Sequence, residues 1–96
     1  MEQKTVISKI RKHRLHLTKL GVKSLALFGS IARNEATSTS DVDILVEFEG
    51  RATFDHFMDT KYYLEEILGR EVDLVMPSAI KPRMKPYIMQ DLVYVT

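Results

Sequence analysis

Asp41-Val42-Asp43 heads a run of strand length rich in Val, Ile, Leu and Phe, Asp41 to Phe48, and this pattern admits few folds. Side chains alternate between the faces of a strand, so Asp41 and Asp43 share one face while Val42, Ile44 and Val46 share the other, the core side. Two like-charged carboxylates held side by side repel each other. Unless one takes up a proton, such a pair calls for a compensating cation. Hard divalent ions such as Mg²⁺ suit this all-oxygen ligation, using few protein carboxylates and completing the shell with water and substrate phosphates. Alone, the pattern fits as well an aspartate that ends the Thr37-Ser38-Thr39-Ser40 turn, followed by a solvated strand residue.

A second apolar run, Ser24 to Phe28, stops at Gly29 and feeds a helical turn predicted over 30–36. A strand that ends in glycine before a helical turn presents free backbone N–H groups that suit a phosphate. Glycine lets the backbone approach closely, and the Ser30 hydroxyl adds a hydrogen bond; the plain alternative is a turn with Ser30 as its N-cap. A third carboxylate, Asp73, lies in a strand predicted over Glu71 to Met76. Beside the Asp41–Asp43 strand it brings three carboxylates to one face, enough for two ions, one activating a hydroxyl and one steadying a leaving pyrophosphate. Elsewhere in a sheet it is an exposed strand carboxylate.

The rest of the chain supplies helices to cover these strands. Residues 2–20 read as one amphipathic helix on Val6, Ile7, Ile10, Leu17 and Leu20, closed by Gly21. Residues 53–68 read as another, on Phe54, Phe57, Met58, Tyr62, Leu64, Ile67 and Leu68, closed by Gly69. Pro77-Ser78 opens a last helical stretch in which one of Pro82 and Pro86 fits a first turn and the other predicts a kink or an interruption. Leu92 to Val95 reads as a terminal edge strand. Strands alternating with helices at this spacing predict an α/β or α+β fold, one domain over residues 1–96 with one small sheet.

Size and charge narrow the function. A chain of 96 residues buries only about 60–70% of its unfolded surface, which leaves no separate acceptor-binding lobe and points to a site completed by a second subunit or a partner. With 14 Lys and Arg against 13 Asp and Glu, the balance gives no support for a dedicated nucleic-acid binder. There is no cysteine, hence no disulfide framework. No apolar run is long enough to span a bilayer, and Met1-Glu2-Gln3-Lys4 precedes no secretory h-region, so a cytoplasmic location is expected.

Taken together, Gly29-Ser30, ten intervening residues and Asp41-Val42-Asp43 match the signature of the DNA polymerase β-like nucleotidyltransferase superfamily. The wording Leu27-Phe28-Gly29-Ser30-Ile31-Ala32-Arg33, then Ser40-Asp41-Val42-Asp43-Ile44-Leu45-Val46, resembles its minimal nucleotidyltransferase (MNT) branch, as do the chain length and the segments Ala79 to Arg83 and Asp91 to Val95. The resemblance implies a small mixed sheet flanked by helices, and transfer of a nucleoside monophosphate from an NTP, ATP by expectation, to a hydroxyl. It implies Asp41 and Asp43 as ligands shared by two Mg²⁺ ions, with Asp73 as the third acidic residue, on the catalytic ion and accepting the proton of the attacking hydroxyl. It implies Gly29 and Ser30 on the nucleotide phosphates; Arg33 is either a phosphate contact or an exposed helix arginine. Asn34 departs from the glycine common at that position in the family, and asparagine tolerates a left-handed backbone better than most residues.

MNT proteins are typically the antitoxins of HEPN–MNT pairs, whose HEPN partner is an RNase. The resemblance therefore implies AMP transfer to a tyrosine of a HEPN toxin. The alternatives are an antitoxin that masks its toxin by binding alone, and a nucleotidyltransferase acting on a small molecule or RNA as a homo-oligomer. The basic stretch Arg11-Lys12-His13-Arg14 with His16, Lys19 and Lys23 reads as a solvated face, the alternative being a dock for an acidic partner or RNA. Lys81, Arg83 and Lys85 read likewise as an exposed face, and His13, His16 and His56 lack metal spacing. The edge at Leu92 to Val95 invites pairing with another chain.

Overall fold

The computed structural model describes residues 2–96. The first predicted helix is two, α1 (Gln3–Lys12) and α2 (Arg14–Lys19), because His13 leaves the helical conformation between them. Strand β1 (Val22–Phe28) follows, then the short helix α3 (Gly29–Ala32), β2 (Val42–Phe48), α4 (Phe54–Leu68) and β3 (Val72–Val75). Two single-turn 3₁₀ helices, Pro77–Ala79 and Pro82–Met84, lead into α5 (Lys85–Asp91) and β4 (Val93–Tyr94). The last helical stretch is interrupted, as expected: Ile80 and Lys81 are extended before Pro82 opens a new turn. Pro77 and Pro82 each open a 3₁₀ turn and Pro86 sits in the first turn of α5, positions where the missing N–H has no helical partner to lose.

The sheet runs in the order β3-β2-β1-β4. β1 pairs antiparallel with β2 and β4, whereas β2 and β3 are parallel, so the sheet is mixed and α4 is the crossover that parallel pairing requires. On one face Val42, Ile44 and Val46 join Leu25, Leu27 and Leu74 under Val6, Ile10, Leu17, Leu64 and Leu68 of the helices. The opposite face is only partly covered: Ile80, Ile88 and Leu92 lie over Ala26, Phe28, Leu45 and Val75, leaving the β2–β3 end open.

The α4 stripe differs from the sequence reading. Phe54 and Tyr62 are exposed, and Thr60 takes a fully buried place with its hydroxyl donating to the His56 carbonyl at 2.8 Å. That intrahelical bond lets a polar side chain face the core. Gly69 ends α4 in the left-handed conformation at φ 65. Asn34 is left-handed too, at φ 57, and its side-chain oxygen accepts the Gln3 backbone N–H at 3.1 Å. The residue that replaces the family glycine thus tolerates the turn and also caps α1. Leu64 lies at the α4–sheet contact with no exposure. Leu64→Ala is expected to cost about 3 kcal/mol, read as a lower urea midpoint at unchanged slope.

Candidate active site

Parallel pairing of β2 and β3 sets Asp43 directly opposite Asp73, while β1 sets Phe28 opposite Asp43 on the other side. Asp43 is half-buried, and Asp41, one residue before β2, is exposed, as is Asp73. The three predicted carboxylates therefore lie on the same part of the sheet, near the β1–α3 turn, with Asp73 directly opposite Asp43.

That turn is built around Asp43. Gly29 has φ +68, a conformation costly for any residue with a Cβ. A Cβ there would also overlap Asp43 Oδ2 and lie 3.1 Å from Asp43 Cγ. The glycine thus makes room for the carboxylate as well as for the turn. Ser30 follows, half-buried, in the first turn of α3, and its carbonyl accepts the Glu35 N–H at 2.8 Å, which closes the turn after the helix.

Burial, then the charges of Asp73 and Asp41, push the Asp43 carboxyl up from 3.8 to about 6, with Arg33 pulling weakly the other way. Burial is the larger cause and the neighbouring carboxylates the smaller, so a cation placed here would favour the charged form. The donors are all hard carboxylate oxygens, the kind Mg²⁺ prefers. Among the described residues no three acidic, histidine or cysteine side chains are arranged to hold an ion. An Mg²⁺ ion here would have to draw much of its shell from water and substrate phosphates.

Arg33, just past α3, is exposed, as one of the two readings expected, and makes no ion pair with Asp43. Its Nη1 donates to Asp91 Oδ2 at 2.7 Å and its Nε to Glu35 Oε2 at 3.2 Å. Both bonds raise the guanidinium pKa, Asp91 first. Sequence reasoning missed Asp91 and Glu35. Asp91 lies 58 residues from Arg33, and no local spacing announces the pair. Lys81, Arg83 and Lys85 are exposed; Lys85 lines a cavity of about 200 Å³ with Leu45, Glu47, Ile80, Met89 and Tyr94, apart from the carboxylates. On the first helices, Arg11 is structural in part, its Nε donating to the Val95 carbonyl at 3.0 Å, while Arg14 and Lys19 are exposed.

The chain matches the family model described as nucleotidyltransferase domain over residues 7–95. It is 50% identical over 88 residues to a Methanocaldococcus jannaschii protein named as a candidate protein adenylyltransferase, covering 90% of each chain. It is 43% identical over 77 residues to the protein adenylyltransferase MntA of Thermococcus cleftensis, covering 80% of this chain and 78% of the relative. A structure described as a candidate minimal nucleotidyltransferase superposes with TM-score 0.83 at 30% identity, over 97% of this chain and 95% of the other. A Shewanella oneidensis MNT antitoxin, in complex with a tri-AMPylated HEPN toxin, shares the fold with TM-score 0.67 at 18% identity, over 98% of this chain and 71% of that structure's chain.

Two stability measurements test this geometry. Asp43 titrates higher folded than unfolded, so its favourable contribution is complete below about pH 4 and is lost as pH rises through about 6. In divalent-free buffer at pH 7.5, Asp43→Asn should therefore stabilise the fold, by roughly 1 kcal/mol after allowing for solvent screening, and the gain should vanish near pH 4. Gly29→Ala should destabilise by more than the roughly 1–2 kcal/mol of left-handed strain, falling back toward that value in an Asp43→Ala background where the overlap is gone. Urea melts of the four proteins measure that coupling.

Proposed function

The chain belongs to the nucleotidyltransferase domain family, and we propose that it transfers AMP from ATP to a tyrosine hydroxyl of a partner HEPN RNase, acting as the antitoxin of that pair. The observation that carries this reading is the meeting of Asp41, Asp43 and Asp73 beside the Gly29-Ser30 turn. A half-buried Asp43 beside two further carboxylates is costly to a fold, and a protein that only masks its partner has no use for that cost. Support for a protein acceptor comes from the relatives named protein adenylyltransferase and from the AMPylated toxin held by a protein of the same fold.

In this reading the acceptor oxygen attacks the α-phosphorus in line, the bond to the bridging oxygen breaks, and pyrophosphate leaves with its electron pair. The acceptor proton passes to Asp73, the exposed member of the facing pair. Gly29 and Ser30 hold the phosphates through backbone N–H groups and the serine hydroxyl. Asp41, Asp43 and Asp73 would hold Mg²⁺, which supplies positive charge to the phosphates and the leaving group. The remaining work is positioning, which converts a bimolecular encounter into a reaction within one complex.

Incubation with α-³²P-ATP, Mg²⁺ and the product of the adjacent gene tests the proposal against Asp41→Ala/Asp43→Ala. Label should move to the partner with the wild type and fall by about 10³-fold or more in the double variant. Mutation of the labelled tyrosine to phenylalanine should abolish the rest. A tight, unlabelled complex formed equally by the double variant would instead identify a masking antitoxin. Label on an aminoglycoside or RNA, with none on the partner, would identify a different acceptor.

A further inference from the structure

We propose that Asp91, at the C-terminal end of α5, is a positioning residue for the nucleotide: it holds Arg33 so that the guanidinium Nη2 is presented to the triphosphate. This rests on the nucleotide-binding reading of the Gly29-Ser30 turn. Nη1 bonds Asp91 at 2.7 Å and Nε bonds Glu35 at 3.2 Å, while among the described residues Nη2 makes no hydrogen bond. Nε and Nη1 point to opposite sides of the guanidinium, so the two carboxylates fix its plane and leave the Nη2 donors for a ligand. A guanidinium N–H is a strong charge-assisted donor to phosphate oxygens.

The placement of that edge is set by the backbone. Arg33 is the C-cap of α3, one turn after Gly29, and its backbone N–H bonds the Gly29 carbonyl at 3.3 Å. Its charge reaches Asp43, yet the only acidic partners it pairs with among the described residues are Glu35 and Asp91. Without a tether, an arginine whose charge reaches Asp43 would be expected to swing toward that carboxylate. Asp91 is suited to the task because its side chain is only 25% exposed and α5 is seated on the sheet through Ile88 and Leu92. Glu35 is weaker: its side chain is 64% exposed and it lies in the loop.

The test is Mg²⁺-dependent binding of α,β-methylene-ATP, which resists cleavage at the reacting bond, to the full chain. Asp91→Asn keeps the shape and removes the charge; it should weaken binding about tenfold, and Asp91→Glu should recover most of the loss. If Asp91 acts through Arg33, then Arg33→Ala/Asp91→Asn should bind no more weakly than Arg33→Ala alone. A purely structural role would instead lower the melting temperature and weaken binding equally in both backgrounds. Unchanged or tighter binding by Asp91→Asn, with the wild type binding normally, would overturn the proposal; tighter binding would mean that Asp91 competes with the nucleotide for Arg33. A wild type that fails to bind the analogue would remove the nucleotide reading itself, and this one with it.

Discussion

Asp43 Oδ2 occupies the space that a side chain at residue 29 would need, and much of the molecule is arranged around that contact. The carboxylate can lie there only if residue 29 is glycine, and glycine also supplies the left-handed backbone that turns β1 into α3. Once β1 and β2 pair with Phe28 opposite Asp43, the N-terminus of α3 must begin beside the carboxylate. The parallel addition of β3 then sets Asp73 opposite Asp43 from the other side. One strand register thus joins the glycine turn and the carboxylate pair.

That arrangement costs stability, which the opposite face of the sheet offsets. Val42, Ile44 and Val46 alternate with the acidic positions along the same strand and are essentially without exposure. Burying such side chains is worth roughly 1.5–3 kcal/mol each, enough to hold the strand in register against repulsion among the carboxylates. A one-residue slip would turn both sets over at once, burying charge and exposing the apolar side chains. The core therefore fixes where the acids point, and the C-terminal segment closes the rest. Val95 bonds Leu25 through its N–H at 2.8 Å and takes Arg11 Nε on its carbonyl, tying α1, β1 and the chain end together while α5 carries Asp91 to Arg33.

The acidic site was legible in the sequence because its determinants are local or repeat with the strand period. Asp41, Asp43 and the apolar residues between them sort themselves by alternation, and Gly29 follows a strand-length run. Asp73 needed one further step, the pairing of its strand with β2, which spacing suggests and register settles. The helix break at His13 was not legible, since residues 3–19 keep an apolar period through it. Nor was the exposure of Phe54 and Tyr62, because an aromatic residue on a helix carries no mark of whether a partner layer covers it. The Arg33–Asp91 pair lay furthest beyond reach: it depends on where α5 docks, and three prolines make that segment's path hard to derive from periodicity.

The near-neutral balance of the chain conceals how its charges are separated. Asp41, Asp43 and Asp73 lie at one end of the open sheet face; Arg33 pairs with Glu35 and Asp91 near it, and Arg70 donates to the carbonyls of Thr37 and Ser40, the latter next in sequence to Asp41. Arg11, Lys12, Arg14 and Lys19 sit on helices α1 and α2, which pack on the other face. A packed layer of about 8–10 Å is comparable to the Debye length at physiological salt, so the basic helices do little to neutralise the acids across the sheet. Compensation has to be local. Arg33 provides part of it, but two of its donors are engaged by the carboxylates that hold it, and Asp43 remains raised despite its presence. What is left is a demand for positive charge at Asp41, Asp43 and Asp73, beside a turn whose N–H groups favour negative charge. A divalent cation carrying a polyphosphate meets both demands together, and neither ion would meet them alone.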